Sequence, residues 1–124
     1  MTWLLVGVGG GLGAMLRHGV NMLVRHWSIG SAFPLGIFFI NVAGSGVIGV
    51  LGGLIATSRL DWGLEMRTFV IVGVLGGFTT FSSFSLDSLA LIRGGHPMMA
   101  AWNVAGQVGL SLAAVAVGYR LGQG

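Results

Sequence analysis

Four apolar stretches of about twenty residues each, at 3–24, 34–56, 68–92 and 98–119, fill almost the whole of this 124-residue chain. A helix needs about 20 apolar residues to cross the hydrocarbon core of a bilayer. The spacing therefore predicts an all-α membrane protein, with four transmembrane helices in one domain spanning 1–124. The connections are short and hold most of the charge: Arg25, Arg59, Asp61, Glu65, Arg67 and Arg93. Pro34 and Pro97 stand at or just before predicted helix starts, where a missing amide donor does least harm. Trp3, Trp27, Trp62, Trp102 and Tyr119 fall near predicted ends, as interfacial aromatics do. Only 7% of residues are charged, against about 25% in a soluble domain, so the chain cannot cover a surface facing water.

Composition removes several function classes. There is no cysteine, hence no disulfide framework and no thiolate metal site. The net charge of +3 comes from six basic residues, all arginines, and they are scattered. They form no basic cluster, so nucleic acid is not an expected partner. No basic residue precedes the first apolar run, so a signal peptide is not expected and the chain reads as mature from Trp3. No nucleophile–base pair is visible, and the chain is not expected to be an enzyme.

Orientation is undecided by charge. The N-terminus, second connection and C-terminus share one side, with Arg59, Arg67 and Arg120. The other side receives Arg25, Arg93 and, if it lies near its helix end, Arg17. Orientation follows an arginine and lysine bias, and three against three is none. Two readings stand: insertion both ways, giving an antiparallel dual-topology homodimer, or a fixed orientation set by other cues. The 24 glycines often fall at small-xxx-small spacing, as in Gly9/Gly13, Gly49/Gly53 and Gly73/Gly77. That spacing lets helix backbones approach closely, within or between subunits. Four spans are few to enclose a pathway, so oligomerisation is expected.

One motif is a decoy. Gly9-x-Gly11-x-x-Ala14 matches the dinucleotide fingerprint loosely, but no strand precedes it and the first acid is Asp61. The fingerprint needs both features, and the glycines are read as packing surface. Arg17 has two readings. It lies well inside the first span, where a charge is costly and marks a candidate functional residue, or it snorkels to an interface.

The third span carries "GGFTTFSSFS" at 76–85. Gly76-Gly77 followed by β-branched Thr79-Thr80 predicts a helix break near mid-span. Irregular backbone at that depth survives only when buried in protein or lining a polar cavity. Its freed carbonyls are of the kind that coordinate cations in transporters, and one set per subunit across a two-fold axis would form a small cation site. Beyond the break, Phe81, Phe84, Ser85 and Ser88 share one helical face and Thr80, Ser83 and Asp87 another. Phenyl rings have a positive edge. Two edges beside hydroxyls can hold a small anion weakly, which suits a pore; the plain alternative is phenylalanines that pack a core or face lipid. Asn41 in the second span has donors for an anion. Asn103, Gln107 and Ser111 form a polar stripe at i, i+4, i+8 in the last span, serving a pathway or gluing helices together. Neutral donors on three spans favour a small anion over a cation as the transported species.

Three motifs in order, "GGGLGAMLRH" (9–18), "NVAGSGVIG" (41–49) and "GGFTTFSSFS" (76–85), make the chain resemble the Fluc-type fluoride channels over essentially its whole length. The resemblance implies a fluoride-selective channel in the bacterial inner membrane, multi-pass, that exports fluoride passively and confers fluoride resistance. It implies an antiparallel dual-topology dimer with two pores and a central structural sodium ion. Phe81 and Phe84 match the phenylalanines whose ring edges line the fluoride paths, and Asn41 matches the asparagine beside them. Thr80 and Ser83 match hydroxyls near the path, and Arg17 the first-span arginine. Gly76 and Thr79 match positions whose carbonyls hold the sodium. His18 replaces a frequent tyrosine, and Gln107 interrupts the last-span polar track. Two other readings are weaker. A small multidrug exporter needs a membrane-buried carboxylate, for which Asp87 is the sole candidate. A structural assembly subunit would use the Asn103, Gln107 and Ser111 stripe as helix glue.

Overall fold

The computed structural model describes residues 1–124. It is all-helical, without a strand. Helix α1 (Thr2–Trp27) and α2 (Leu35–Ala56) are continuous. A third rod begins as α3 (Leu64–Arg67), runs through a π-helical segment (Thr68–Leu75) into α4 (Gly76–Phe78), breaks, and resumes as α5 (Phe81–Arg93). Helix α6 (Pro97–Gln123) closes the chain. Three stretches are long and apolar enough to cross a membrane: α2, the third rod as a whole (Leu64–Arg93), and α6. Helix α1 has the length, but Arg17, His18 and its glycines dilute its apolar content.

The helices overrun the predicted spans: α1 reaches Trp27 rather than 24, the third rod starts at Leu64 rather than 68, and α6 runs to Gln123 rather than 119. Backbone hydrogen bonds do not require apolar side chains, so Arg25, Arg67, Arg93 and Arg120 extend helices beyond the hydrocarbon. Between α5 and α6 the turn is very tight. Gly95 takes φ +83°, a region glycine enters freely, and His96 N–H reaches back to Leu91 O at 2.7 Å. Pro97 then opens α6 at its first turn.

Two helix pairs form the subunit, and glycine sets both. Helix α2 lies on α6 through Gly49 and Gly53 against Gly118 and Gly122; a Cβ on Gly118 would stand 3.0 Å from Val50 N. Helix α1 lies on the front half of the third rod. A Cβ on Gly9 would stand 2.7 Å from Phe69 O, and one on Gly73 would stand 3.0 Å from Gly9 Cα. All three small-residue pairs singled out in the sequence are thus spent inside the subunit, in the close backbone approach expected in lipid.

Very little is buried. Only 17 of 124 residues are inside, and the apolar core reduces to a cluster of Ile37, Ile40 and Phe84, with Val20 and Phe78 packed against it. Most large apolar side chains face outward, as they must where the solvent is lipid or another subunit. Arg17 corrects the charge count. It lies about 15 Å short of the end of α1 and bonds to the third rod, so it belongs to neither end and the arginines read three against two.

Candidate functional site

The break falls at the threonines and not at the glycines. Gly76 and Gly77 remain helical, because close packing on α1 needs them there: a Cβ on Gly77 would lie 3.0 Å from Gly10 Cα. Thr79 (φ −83°, ψ 157°) and Thr80 (φ −153°, ψ 124°) are extended, the conformation that suits β-branched side chains. Thr79 Oγ1 donates back to Leu75 O at 3.1 Å. Thr80 Oγ1 accepts from Ser83 N–H at 3.2 Å and so caps α5.

A break in lipid leaves backbone groups to be satisfied, and side chains of two other helices supply part of what is needed. Arg17 Nη1 donates to Gly77 O at 3.0 Å. Of the two readings of Arg17, this bond favours a role inside the subunit over snorkelling to an interface, since its head is drawn to a carbonyl near the middle of the third rod. The carboxamide of Asn41 pairs with both sides of Thr80, its Nδ2 donating to Thr80 O at 3.0 Å and its Oδ1 accepting Thr80 N–H at 2.9 Å. The carbonyls of Gly76 and Thr79 accept no hydrogen bond from backbone or side chain. Uncommitted carbonyl oxygens are suitable ligands for a hard cation, so these two positions fit the role that the resemblance implies.

From Asn41 the hydrogen bonds continue. Its Nδ2 also donates to Gln107 Oε1 at 2.8 Å, and Gln107 Nε2 donates to Asn103 Oδ1 at 2.9 Å. Asn103 Nδ2 donates to Ser88 Oγ at 3.0 Å, whose hydroxyl donates to Phe84 O at 2.8 Å. The polar stripe on α6 is thus half absorbed by the fold: Asn103 is wholly buried and Gln107 nearly so. Asn41 differs from expectation, since both of its N–H groups are engaged inside the subunit.

A groove of about 480 Å³ opens beside this chain, between α2, α6 and the break. Asn41, Thr80, Phe81, Phe84, Gln107 and Ser111 line it, together with Gly76 and Thr79. The two rings lie 5.4 Å apart, tilted by 58°, an edge-presenting arrangement. Phe84 is anchored in the core, whereas Phe81 is 76% exposed. Arg17, Ser83 and Asn103 do not line the groove. Arg17 sits on the α1 side of the break, Ser83 in the first turn of α5, and Asn103 behind Gln107. Sequence reasoning passed over Ser45, which lines the groove and donates to Asn41 O at 2.8 Å. It lies one turn after Asn41, a spacing that would have found it. Ser88, named only as part of a face, turns out to end the hydrogen-bond chain. Asp87 has one buried carboxylate oxygen without a partner and joins no cluster of metal-ligating side chains.

Comparison with known proteins matches residues 4–119 to the family described as CrcB-like protein, Camphor Resistance (CrcB). The chain is 46% identical over 121 residues to the fluoride-specific ion channel FluC of Rhodopseudomonas palustris (strain BisB5), covering 98% of this chain and 96% of that one. It is 48% identical over 120 residues to FluC of Rhizobium meliloti (strain 1021), covering 95% and 93%. It is 45% identical over 120 residues to FluC of Thermus thermophilus, covering 97% and 94%.

Proposed function

The chain belongs to the CrcB-like family, and on that premise we propose that it is a fluoride-selective channel that lets fluoride leave the cytoplasm passively. It is a multi-pass bacterial membrane protein, and its family is one of ion channels, not enzymes. The observation that carries the reading is the groove. In an otherwise apolar surface it gathers two tilted phenyl rings, the hydroxyls of Thr80 and Ser111, and the amide of Gln107, beside Asn41, whose own N–H groups hold the break and Gln107 in place. Ring edges and neutral donors bind a small anion without the full charge that would trap it.

The physiological role follows from acid chemistry. Hydrogen fluoride crosses a membrane neutral and dissociates in a near-neutral cytoplasm, where the anion accumulates. A negative-inside potential drives an anion out, at about 2.3 kcal/mol per charge per 100 mV. A passive pore in the inner membrane is sufficient to lower toxicity.

All four rods cross the membrane in this reading, and two subunits pair antiparallel. Two features support pairing: the groove is open on one side, and most apolar side chains face outward. Three arginines against two leave orientation weakly specified. Pairing closes two grooves into two pores. The carbonyls of Gly76 and Thr79 from both subunits would hold a structural sodium ion, which would supply positive charge to oxygens that the fold leaves unpaired.

Fluoride efflux from liposomes containing the purified protein, followed with a fluoride-selective electrode beside a chloride trace, tests the function. Fast fluoride loss with chloride retained is the expected result. Folded dimers that release no fluoride would sink the channel reading and turn attention to Asp87 and cation export.

A further inference from the structure

A second concavity, of about 560 Å³, lies where the end of α5 meets the start of α6. Ile92, Pro97, Ala100, Ala101, Val104 and Ala105 line it, and none of these side chains is polar. The three alanines leave a furrow that larger side chains would fill. From Pro97 to Ala105 it descends about 12 Å along α6, at about 1.5 Å per residue. It starts at the connection between two membrane-spanning stretches, so it runs inward from the membrane surface. One leaflet of hydrocarbon is about 15 Å deep, half of the core. The furrow therefore has the direction and the depth of a lipid chain. At about two helical turns it is short for a partner's helix to lie along.

Its mouth is charged. Arg93 is the last residue of α5, next to Ile92, and is exposed. Among the arginines only Arg17 and Arg67 donate from their side chains, each to a backbone carbonyl, so Arg93 keeps its donors free. No acidic residue follows Asp87 in the chain, and Asp87 itself lies about 9 Å deeper along α5 than Arg93. A guanidinium matches the oxygens of a phosphate in geometry and in charge. A zwitterionic headgroup brings an ammonium of its own, and this connection has no carboxylate to receive it.

We propose that this furrow is a site for an anionic phospholipid, with one acyl chain against Ala101 and Ala105 and the phosphate on Arg93. Basic residues at clefts between membrane helices bind anionic headgroups in this way. The site shares no residue with the groove beside the break, and it stands without the fluoride reading.

Native mass spectrometry of the purified wild-type dimer, incubated with phosphatidylglycerol or with phosphatidylcholine of identical chains, tests the site. Phosphatidylglycerol should stay bound, up to one per subunit, and phosphatidylcholine should be lost. Arg93→Gln alters an exposed side chain and should retain about fivefold less phosphatidylglycerol, the effect of one arginine near an anionic surface. Ala101→Trp fills the furrow and should remove the lipid at unchanged dimer yield. Equal retention of the two lipids, retention of neither, or undiminished phosphatidylglycerol on Arg93→Gln would overturn the proposal. So would Ala101→Trp protein that folds but no longer pairs, which would put the partner subunit in the furrow. If that variant does not fold, Arg93→Gln decides alone.

Discussion

Phe81 and Phe84 look alike in sequence and differ in what they hold. Phe84 packs against Ile37 and Ile40, whereas Phe81 is largely exposed within the subunit. Phe84→Ala should therefore destabilise the folded protein by about 3–5 kcal/mol, seen as a lower melting temperature. Phe81→Ile should leave melting and dimer yield near wild type and abolish fluoride efflux; retained efflux would make the ring a packing residue only. Asn41→Ala leaves both polar groups of the Thr80 peptide without a partner. Losing a buried partner costs about 1–3 kcal/mol, so this variant should melt earlier and conduct poorly. The residue types of the site were legible in sequence, because polar side chains stand out in apolar runs. Their partners were not. Nothing in the spacing of Asn41, Gln107 and Asn103 says that one amide feeds the next, since that depends on how α2 and α6 face each other.

At the scale of elements, the helix pairs are set by atoms that are absent. Gly7 lies on α1 with nothing near its missing side chain, while Gly77 is in contact with the backbone of Gly10. Gly7→Ala should be neutral. Gly77→Ala should reduce the yield of folded protein sharply, because backbone cannot move aside as a side chain can; equal yields would show that α1 does not pack as described. The four helices were readable from apolar run length, and the broken third rod from its threonines. The sequence placed the break across Gly76 to Thr80, and it falls at the threonine end of that stretch, although local propensity treats glycine as a helix breaker. Here close approach to α1 keeps both glycines helical. The π-helical segment at Thr68–Leu75 had no sequence signal at all, lying in an ordinary apolar run.

For the whole molecule, pairing and ion content are the quantities to measure. Ser31 is exposed between α1 and α2, and the chain has no cysteine of its own. In Ser31→Cys protein, a membrane-impermeant maleimide applied outside cells should label about half the molecules if both orientations insert; complete labelling or none would show a fixed topology. Replacing sodium by a bulky organic cation should lower the melting temperature of the dimer, because a ligand bound only to the folded state stabilises it by mass action. An unchanged melting curve would argue against the cation at Gly76 and Thr79. The one-way run of donors from Asn41 to Phe84 O also gives each subunit a built-in electrical polarity. A lone pore with such a polarity would pass current more readily in one direction. In the antiparallel pair proposed above the two polarities would oppose each other, so the pair should be a non-rectifying conductor: a symmetric current–voltage curve is the expected result, and a rectifying one would argue against head-to-tail pairing.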